Sequence, residues 1–380
     1  MIMGKNRILA GLALIPALAA PTVSALPFAS FDARSTAMGG VGVATGNRFA
    51  SFNNPALLTT ADEIHDWFLL LPTAGRQVND PDKLDDGLNA FQRDAGAFEA
   101  DPTSANTDQV LASLDALDSA IYERQDNIAL MLAVPSRILS GAAYVNVYEG
   151  FTVRPRLGVA NIANPANPDY ASELEYRGYK VLENGVSAAK LFEGGKHWWS
   201  QWALGFNAKF LLVEGYGYTQ GVRDAELKLD DSQRVNSSAF NLDIGVLKEF
   251  GVFKLALVGK NLFASKFDYG TSGEIFEIGP QLRLGLAYQS RRAVLELDVD
   301  LTENAPLGFG SRTEFAALGW EYQLARWFTL RAGYRQNMVG TAAGSASAGL
   351  GLLFGALYID VAGSVGDGQQ GVAAQLGFQF

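Results

Sequence analysis

Residues 282–302 read LRLGLAYQSRRAVLELDVDLT. Leu282, Leu284, Leu286 and Tyr288 share one parity, and Arg283, Gly285, Ala287 and Gln289 the other. After Ser290-Arg291-Arg292 the alternation resumes, with Ala293, Leu295, Leu297, Val299 and Leu301 against Val294, Glu296, Asp298, Asp300 and Thr302. A period of two puts each set on its own face of a β-strand, and each run approaches the roughly 9–11 residues that a tilted strand needs to cross a bilayer. A soluble sandwich alternates too, but it turns its charged face to water. Here the smooth face is aliphatic and aromatic, and the other mixes glycine, small and charged residues, as a crowded polar lumen requires.

The same alternation runs through 202–212, 240–249, 253–261, 318–324, 328–335 and 357–365. Connections support it. Gly251-Val252, Ser290-Arg291-Arg292, Ala325-Arg326 and Gly355-Ala356 are tight, whereas 262–279, 303–313, 339–345 and 366–370 read as longer loops. Outer-membrane barrels have short periplasmic turns and longer external loops. Counting back from the last strand brings Phe250, Phe253, Tyr288, Trp327, Phe328, Phe354, Phe378 and Phe380 to the rim of the tight turns, an interfacial aromatic belt. The final strand alternates Val372, Ala374, Leu376, Phe378 and Phe380 with small and polar residues. Phe378 and Phe380 resemble the signal read by the barrel-assembly machinery.

Composition agrees. The chain has 41 glycines, 11% aromatic and 18% charged residues, against about 25% charged in typical soluble proteins. No cysteine occurs, which excludes disulfide scaffolds, thiolate metal sites, thiol catalysis and a lipoprotein anchor. Lys5 and Arg7, the apolar stretch Ile8 to Ala20 and Val23-Ser24-Ala25 read as an export signal over 1–25. Its loss takes the net charge from −10 to −12, because Lys5 and Arg7 are its only charged residues. An acidic chain argues against nucleic acid as a partner.

The first half is less regular. A strand near 64–71 and strands at 127–134, 141–148 and 153–160 are expected, with Asn184-Gly185 as a hairpin turn between two more. Between the first two, Leu84, Leu88, Phe91, Ala95 and Phe98 form one helical stripe after Asp80-Pro81, and Val110, Leu114, Leu117 and Ile121 a second.

Near the N-terminus stand Ala33-Arg34-Ser35-Thr36-Ala37-Met38-Gly39-Gly40-Val41-Gly42-Val43-Ala44 and Asn53-Asn54-Pro55-Ala56-Leu57-Leu58. This combination resembles the opening segment of the FadL/TodX superfamily of outer-membrane channels, and is most similar to its conjugal-transfer TraF-like branch, as is Asp80 to Leu88. The resemblance implies a barrel whose N-terminal segment lies in the lumen as a plug or hatch, here Gly39, Gly40, Gly42, Asn53, Asn54, Pro55 and Ala56. It also implies passage of hydrophobic molecules inward from outside and then laterally into the bilayer.

Other chemistry fails on context. Gly40-x-Gly42 and Gly46 follow no strand and open no βαβ unit, so they are not a dinucleotide fingerprint. His65 and His197 have no metal-ligand partners at suitable spacing, and Asp80 to Asp86 lacks the pattern of a calcium loop. No catalytic set or cofactor site emerges.

The expectation is therefore an all-β, transmembrane antiparallel β-barrel of about 14 strands (12–16). Residues 26–60 form the plug segment and 61–380 the barrel, with a helical insertion at about 80–124. Lys254, Lys260, Arg283, Glu296, Asp298, Asp300, Glu321, Arg331 and Arg335 are expected to line the lumen as a mutually neutralising network. The expected function is a plugged channel for small hydrophobic molecules in the outer membrane of a Gram-negative bacterium. The alternative is a non-transporting component of a conjugation or secretion apparatus. Expected partners are outer-membrane lipid, the assembly machinery, a hydrophobic small molecule, and conjugation or secretion proteins.

Overall fold

The computed structural model describes residues 32–60, 67–136, 138–192, 202–270, 273–304, 308–340 and 343–380. The export-signal region and both histidines lie outside them, as do residues 64–66 of the first expected strand. Period-two segments become strands because only a ladder satisfies every backbone N–H and C=O while leaving an apolar face outward. On one side of the molecule the strands are long: β2 (Tyr122–Val134), β3 (Ser140–Arg156), β4 (Glu173–Phe192), β5 (Trp202–Gly221) and β6 (Arg234–Phe250). On the other they are short: β7 (Phe253–Lys260), β10 (Gln281–Gln289), β11 (Ala293–Asp300), β12 (Phe315–Ala325), β13 (Phe328–Asn337), β14 (Ser345–Phe354), β15 (Leu357–Gly366) and β16 (Gln369–Gln379). β1 (Phe68–Asn79) pairs antiparallel with both β16 and β2 and closes a barrel of 14 strands among the described residues. A small hairpin, β8 (Ser265–Asp268) with β9 (Ile275–Ile278), stands apart from it.

Burial reproduces the alternation. On β11, Leu295 and Leu297 are 46% and 42% exposed, while Glu296 and Asp298, which alternate with them, are 0% and 1% exposed. The apolar set therefore faces out and the charged set in. Phe250, Phe253, Tyr288, Trp327, Phe354 and Phe380 stay exposed at the tight-turn rim. Among the described residues no helix is long and apolar enough to cross a membrane.

Four local expectations are corrected. Asn184-Gly185 is no turn: it lies inside β4, and Gly185 is inward because the Tyr144 ring would sit 2.1 Å from a Cβ placed there. The segments 141–148 and 153–160 are one strand, β3, and 157–160 lie beyond its end. The long loop at 366–370 is a two-residue connection, Asp367-Gly368, with Gly368 at φ +66°, a conformation that suits glycine. The turn at Ala325-Arg326 is shifted by one, since Ala325 closes β12.

Helices α2 (Leu84–Ala100) and α3 (Ser104–Asp115) follow the predicted stripes. Asp80 accepts from the Leu84 N–H at 2.7 Å and starts α2. Leu88, Phe91, Phe98, Val110 and Leu114 pack with Tyr122, Phe151, Val153, Leu174 and Tyr176 of the tall β2–β4 wall. The β8–β9 hairpin folds onto Tyr179, Val181, Leu211 and Val213, its backbone lying against Gly215. Phe309 reaches the same end, where its N–H meets Thr152 Oγ1 at 3.0 Å and its ring lies 4.0 Å from the Arg154 guanidinium. The long-loop end is thus covered on several sides.

Candidate functional site in the barrel lumen

The inward face of the barrel holds residues 32–60. This segment comprises α1 (Ala33–Ala37), an irregular stretch, and two 3₁₀ turns at Arg48–Phe52 and Pro55–Thr59. It folds on itself first. Asp32 caps α1 through the Ser35 N–H (2.8 Å) and accepts from Asn53 Nδ2 (3.0 Å). Ser35 Oγ donates to the Val41 carbonyl, and Asn54 Nδ2 to the Val43 carbonyl. Asn54 Oδ1 also receives the Ala56 N–H, with Pro55 at the start of the turn.

Two wall carboxylates then hold its backbone. Asp298 Oδ2 accepts from the Gly42 and Val43 N–H groups at 2.8 and 3.1 Å. Glu296 Oε1 accepts from Ala44 and Thr45 N–H at 2.6 and 3.1 Å, and its other oxygen takes the Thr45 hydroxyl. Four consecutive amides meet two inward carboxylates of one strand, and charge-assisted bonds of this kind are among the stronger ones. Arg34 extends the network, with Nε on Glu321 at 2.9 Å and Nη1 on the Thr45 carbonyl at 3.1 Å. Glu321 also accepts from Arg331, which reaches Asp360. Arg283 pairs with Asp300 and donates to the Gly40 carbonyl.

Wall glycines make room for this backbone. A Cβ at Gly333 would lie 2.1 Å from Met38 C, and one at Gly319 would lie 2.5 Å from Val41 Cγ2. A Cβ at Gly205 would lie 2.4 Å from Ala56 N, and one at Gly245 would lie 1.8 Å from Asn54 Oδ1. Gly319 faces Gly333 across β12–β13, and Gly205 faces Gly245 across β5–β6, so each couple forms a notch. Gly39, at φ +78°, is itself pressed on the Tyr334 backbone.

The expected lumen residues all turn inward, but they do not form one cluster. Glu296, Asp298, Asp300, Arg283, Glu321 and Arg331 lie under the N-terminal segment. Lys254 pairs instead with Glu249 nearer the tight-turn rim, at 2.7 Å. Arg335 donates to Ser345 Oγ. Lys260 lines a separate chamber of about 80 Å³ between the segment and the long-loop end. Its floor is Asp32, Phe52 and Asn53, and its walls include Asn127, Tyr148, Tyr179, Glu183 and Asn207. Lys209 crosses one wall between Asp243 (2.9 Å) and Glu183 (3.4 Å). On the opposite side of the segment a space of about 370 Å³ opens among Asn47, Thr59, Leu247 and Glu249. Sequence reasoning missed Arg34 and Thr45 as anchors, and Glu183 as a chamber residue. Phe380 pairs through its backbone with Trp67, and Phe378 is half-buried. Among the described residues no group of three or more His, Asp or Glu could hold a metal ion.

Residues 51–300 match the family model described as "F plasmid transfer operon, TraF, protein". The chain belongs to this TraF family. A search of curated proteins finds no match. Among solved structures, the TodX deltaS2S3 mutant monoaromatic hydrocarbon channel superposes with a TM-score of 0.56 at 13% identity, covering 92% of this chain and 98% of that one. The CymD monoaromatic hydrocarbon channel gives 0.53 at 12%, covering 93% and 98%. A Pseudomonas aeruginosa FadL homologue gives 0.50 at 12%, covering 92% and 98%. At such identities the likeness establishes the fold. This TraF-family chain therefore has the barrel fold of those structures.

Proposed function

We propose that the protein is an outer-membrane channel in which residues 32–60 act as a plug, and that it takes small hydrophobic molecules from outside and releases them sideways into the bilayer. One observation carries this reading. β1 holds one residue more than β2 between Leu70 and Thr73 and one more than β16 between Leu70 and Ala74, and Pro72 lies in both stretches. Proline cannot donate to a ladder, and an extra residue disrupts pairing locally. The ladder is thus interrupted beside Thr73 and Ala129, both of which line the chamber. Support also comes from a groove of about 410 Å³ between α3 and residues 157–160, lined by Leu111, Leu114, Leu157 and Ala160, a capture surface for an apolar solute. The exposed Leu, Phe and Trp belt suits lipid. The similarity to structures described as hydrocarbon channels favours transport over catalysis.

Deleting Pro72 restores an uninterrupted ladder. Cells carrying this variant should assemble the barrel normally and lose stimulated toluene uptake, whereas undiminished uptake would refute the lateral route. The family description favours a second reading, an outer-membrane part of a conjugation apparatus. It requires that deletion of the protein lower plasmid transfer.

A further inference from the structure

Within the channel reading, the lining of the chamber bears on what can pass. Three of its residues, Asn53, Asn207 and Asn261, are at most 6% exposed, and each carries a carboxamide oxygen with no hydrogen-bond donor among the described residues. Each comes from a different part of the molecule: the N-terminal segment, the inward face of β5 and the chain just after β7. Asp32, Glu149 and Glu183 add three carboxylates to the lining, against the ammonium groups of Lys260 and Lys209. Lys209 is already held by Asp243 and Glu183. The chamber is therefore rich in acceptors. Buried acceptors without donors are rare and costly in folded proteins, and a donor-bearing guest relieves them once the lining shifts to uncover them.

The lining also carries three aromatic rings, Phe52, Tyr148 and Tyr179. Phe52 contributes a ring to the floor, edge-on to Tyr144 at 5.0 Å, and Tyr148 and Tyr179 stand 6.2 Å apart in the wall. Flat faces beside acceptors suit a molecule with an unsaturated body and an N–H or O–H group. A pure hydrocarbon would cover the acceptors without satisfying them, a penalty that polar sites use to reject analogues lacking the donor. The volume agrees with a closed state. About 80 Å³ admits a few waters, whereas an engineered apolar cavity that binds benzene measures about 150 Å³. A ring enters only when the wall at Pro72 or the N-terminal segment yields.

We propose that this chamber is a selectivity site for small aromatic molecules bearing a hydrogen-bond donor, phenols and aromatic amines, in preference to unsubstituted hydrocarbons. The inference rests on the channel reading and narrows its substrate. It is tested by uptake of radiolabelled phenol and toluene into Gram-negative cells expressing the full chain, corrected for cells carrying the empty vector. Phenol entry should be stimulated about tenfold more than toluene entry. Asn207→Leu, close in volume but without the acceptor, should lower the phenol-to-toluene ratio about fivefold, and heat-modifiable migration on gels should show the barrel still folded. If Asn207→Leu does not fold, Asn53→Leu on the N-terminal segment gives the same readout. Equal stimulation of both solutes, or an unchanged ratio in a folded variant, would overturn the selectivity site and leave the channel intact. Stimulation of neither would remove the channel reading itself.

Discussion

Glu296 is the residue on which the lumen depends most. It receives two backbone amides and one hydroxyl from Ala44 and Thr45 at full burial. Glu296→Ala leaves those donors without an acceptor, at about 1–3 kcal/mol for each buried group that stays unsatisfied. Glu296→Gln keeps an acceptor oxygen. The expected outcome is that protease cuts within 33–60 in detergent-solubilised Glu296→Ala, while wild type and Glu296→Gln resist. Equal protection of all three would show that the segment is held by shape alone. The carboxylates were visible in the sequence because parity separates them from Leu295 and Leu297. Their partners were not, since the backbone amides of 42–45 lie some 250 positions away and carry no side-chain signal. The wall glycines were visible only as small residues on the polar parity. That Gly319 meets Gly333, and Gly205 meets Gly245, depends on register, which a single strand does not encode.

At the level of elements, the strands between 200 and 380 follow from alternation because both faces there are chemically distinct. The tall wall does not. In β3 and β4 the upper halves carry apolar residues inward, under the helices, so the contrast between faces fades and 141–160 reads as two segments. Asn184-Gly185 has the composition of a turn, yet its glycine serves the Tyr144 ring, and Tyr144 then reaches Glu183 at 2.9 Å. The helical pair was readable from its stripes, but not its attachment through Glu99 and Arg223, which meet at 2.9 and 3.0 Å. The bond from Arg223 is the main cause that lowers the Glu99 pKa below its ordinary 4.5, against a smaller effect of burial. A depressed carboxylate pKa contributes stability that is complete above pH 4.5 and is lost as pH falls through the folded value. Both groups are about one-third exposed, so the pair contributes at most about 1 kcal/mol. Helix content followed at 222 nm should show the α2–α3 pair loosening below pH 4.5 and not between 5 and 8. Arg223→Ala should weaken docking slightly at neutral pH and abolish the acid step. An acid step that persists in that variant would assign it elsewhere.

At the scale of the molecule, the barrel is inverted relative to a soluble protein, with leucine and aromatic side chains outside and ion pairs within. Glu321, Asp360 and Asp300 are matched there by Arg34, Arg331 and Arg283, and the N-terminal backbone donates to Glu296 and Asp298. The segment is as much a part of the lumen's chemistry as the strands are. The chain contains no cysteine, so introduced thiols report on it cleanly. Ser347 Oγ donates to the Ala37 carbonyl at 3.0 Å and marks where the segment touches β14. The most direct test is oxidation of Ala37→Cys/Ser347→Cys in isolated outer membranes. A cross-linked chain, recovered only after detergent extraction and restored to normal migration by reductant, is the predicted result. A soluble chain, or a membrane-extracted one whose two thiols never join, would contradict the account.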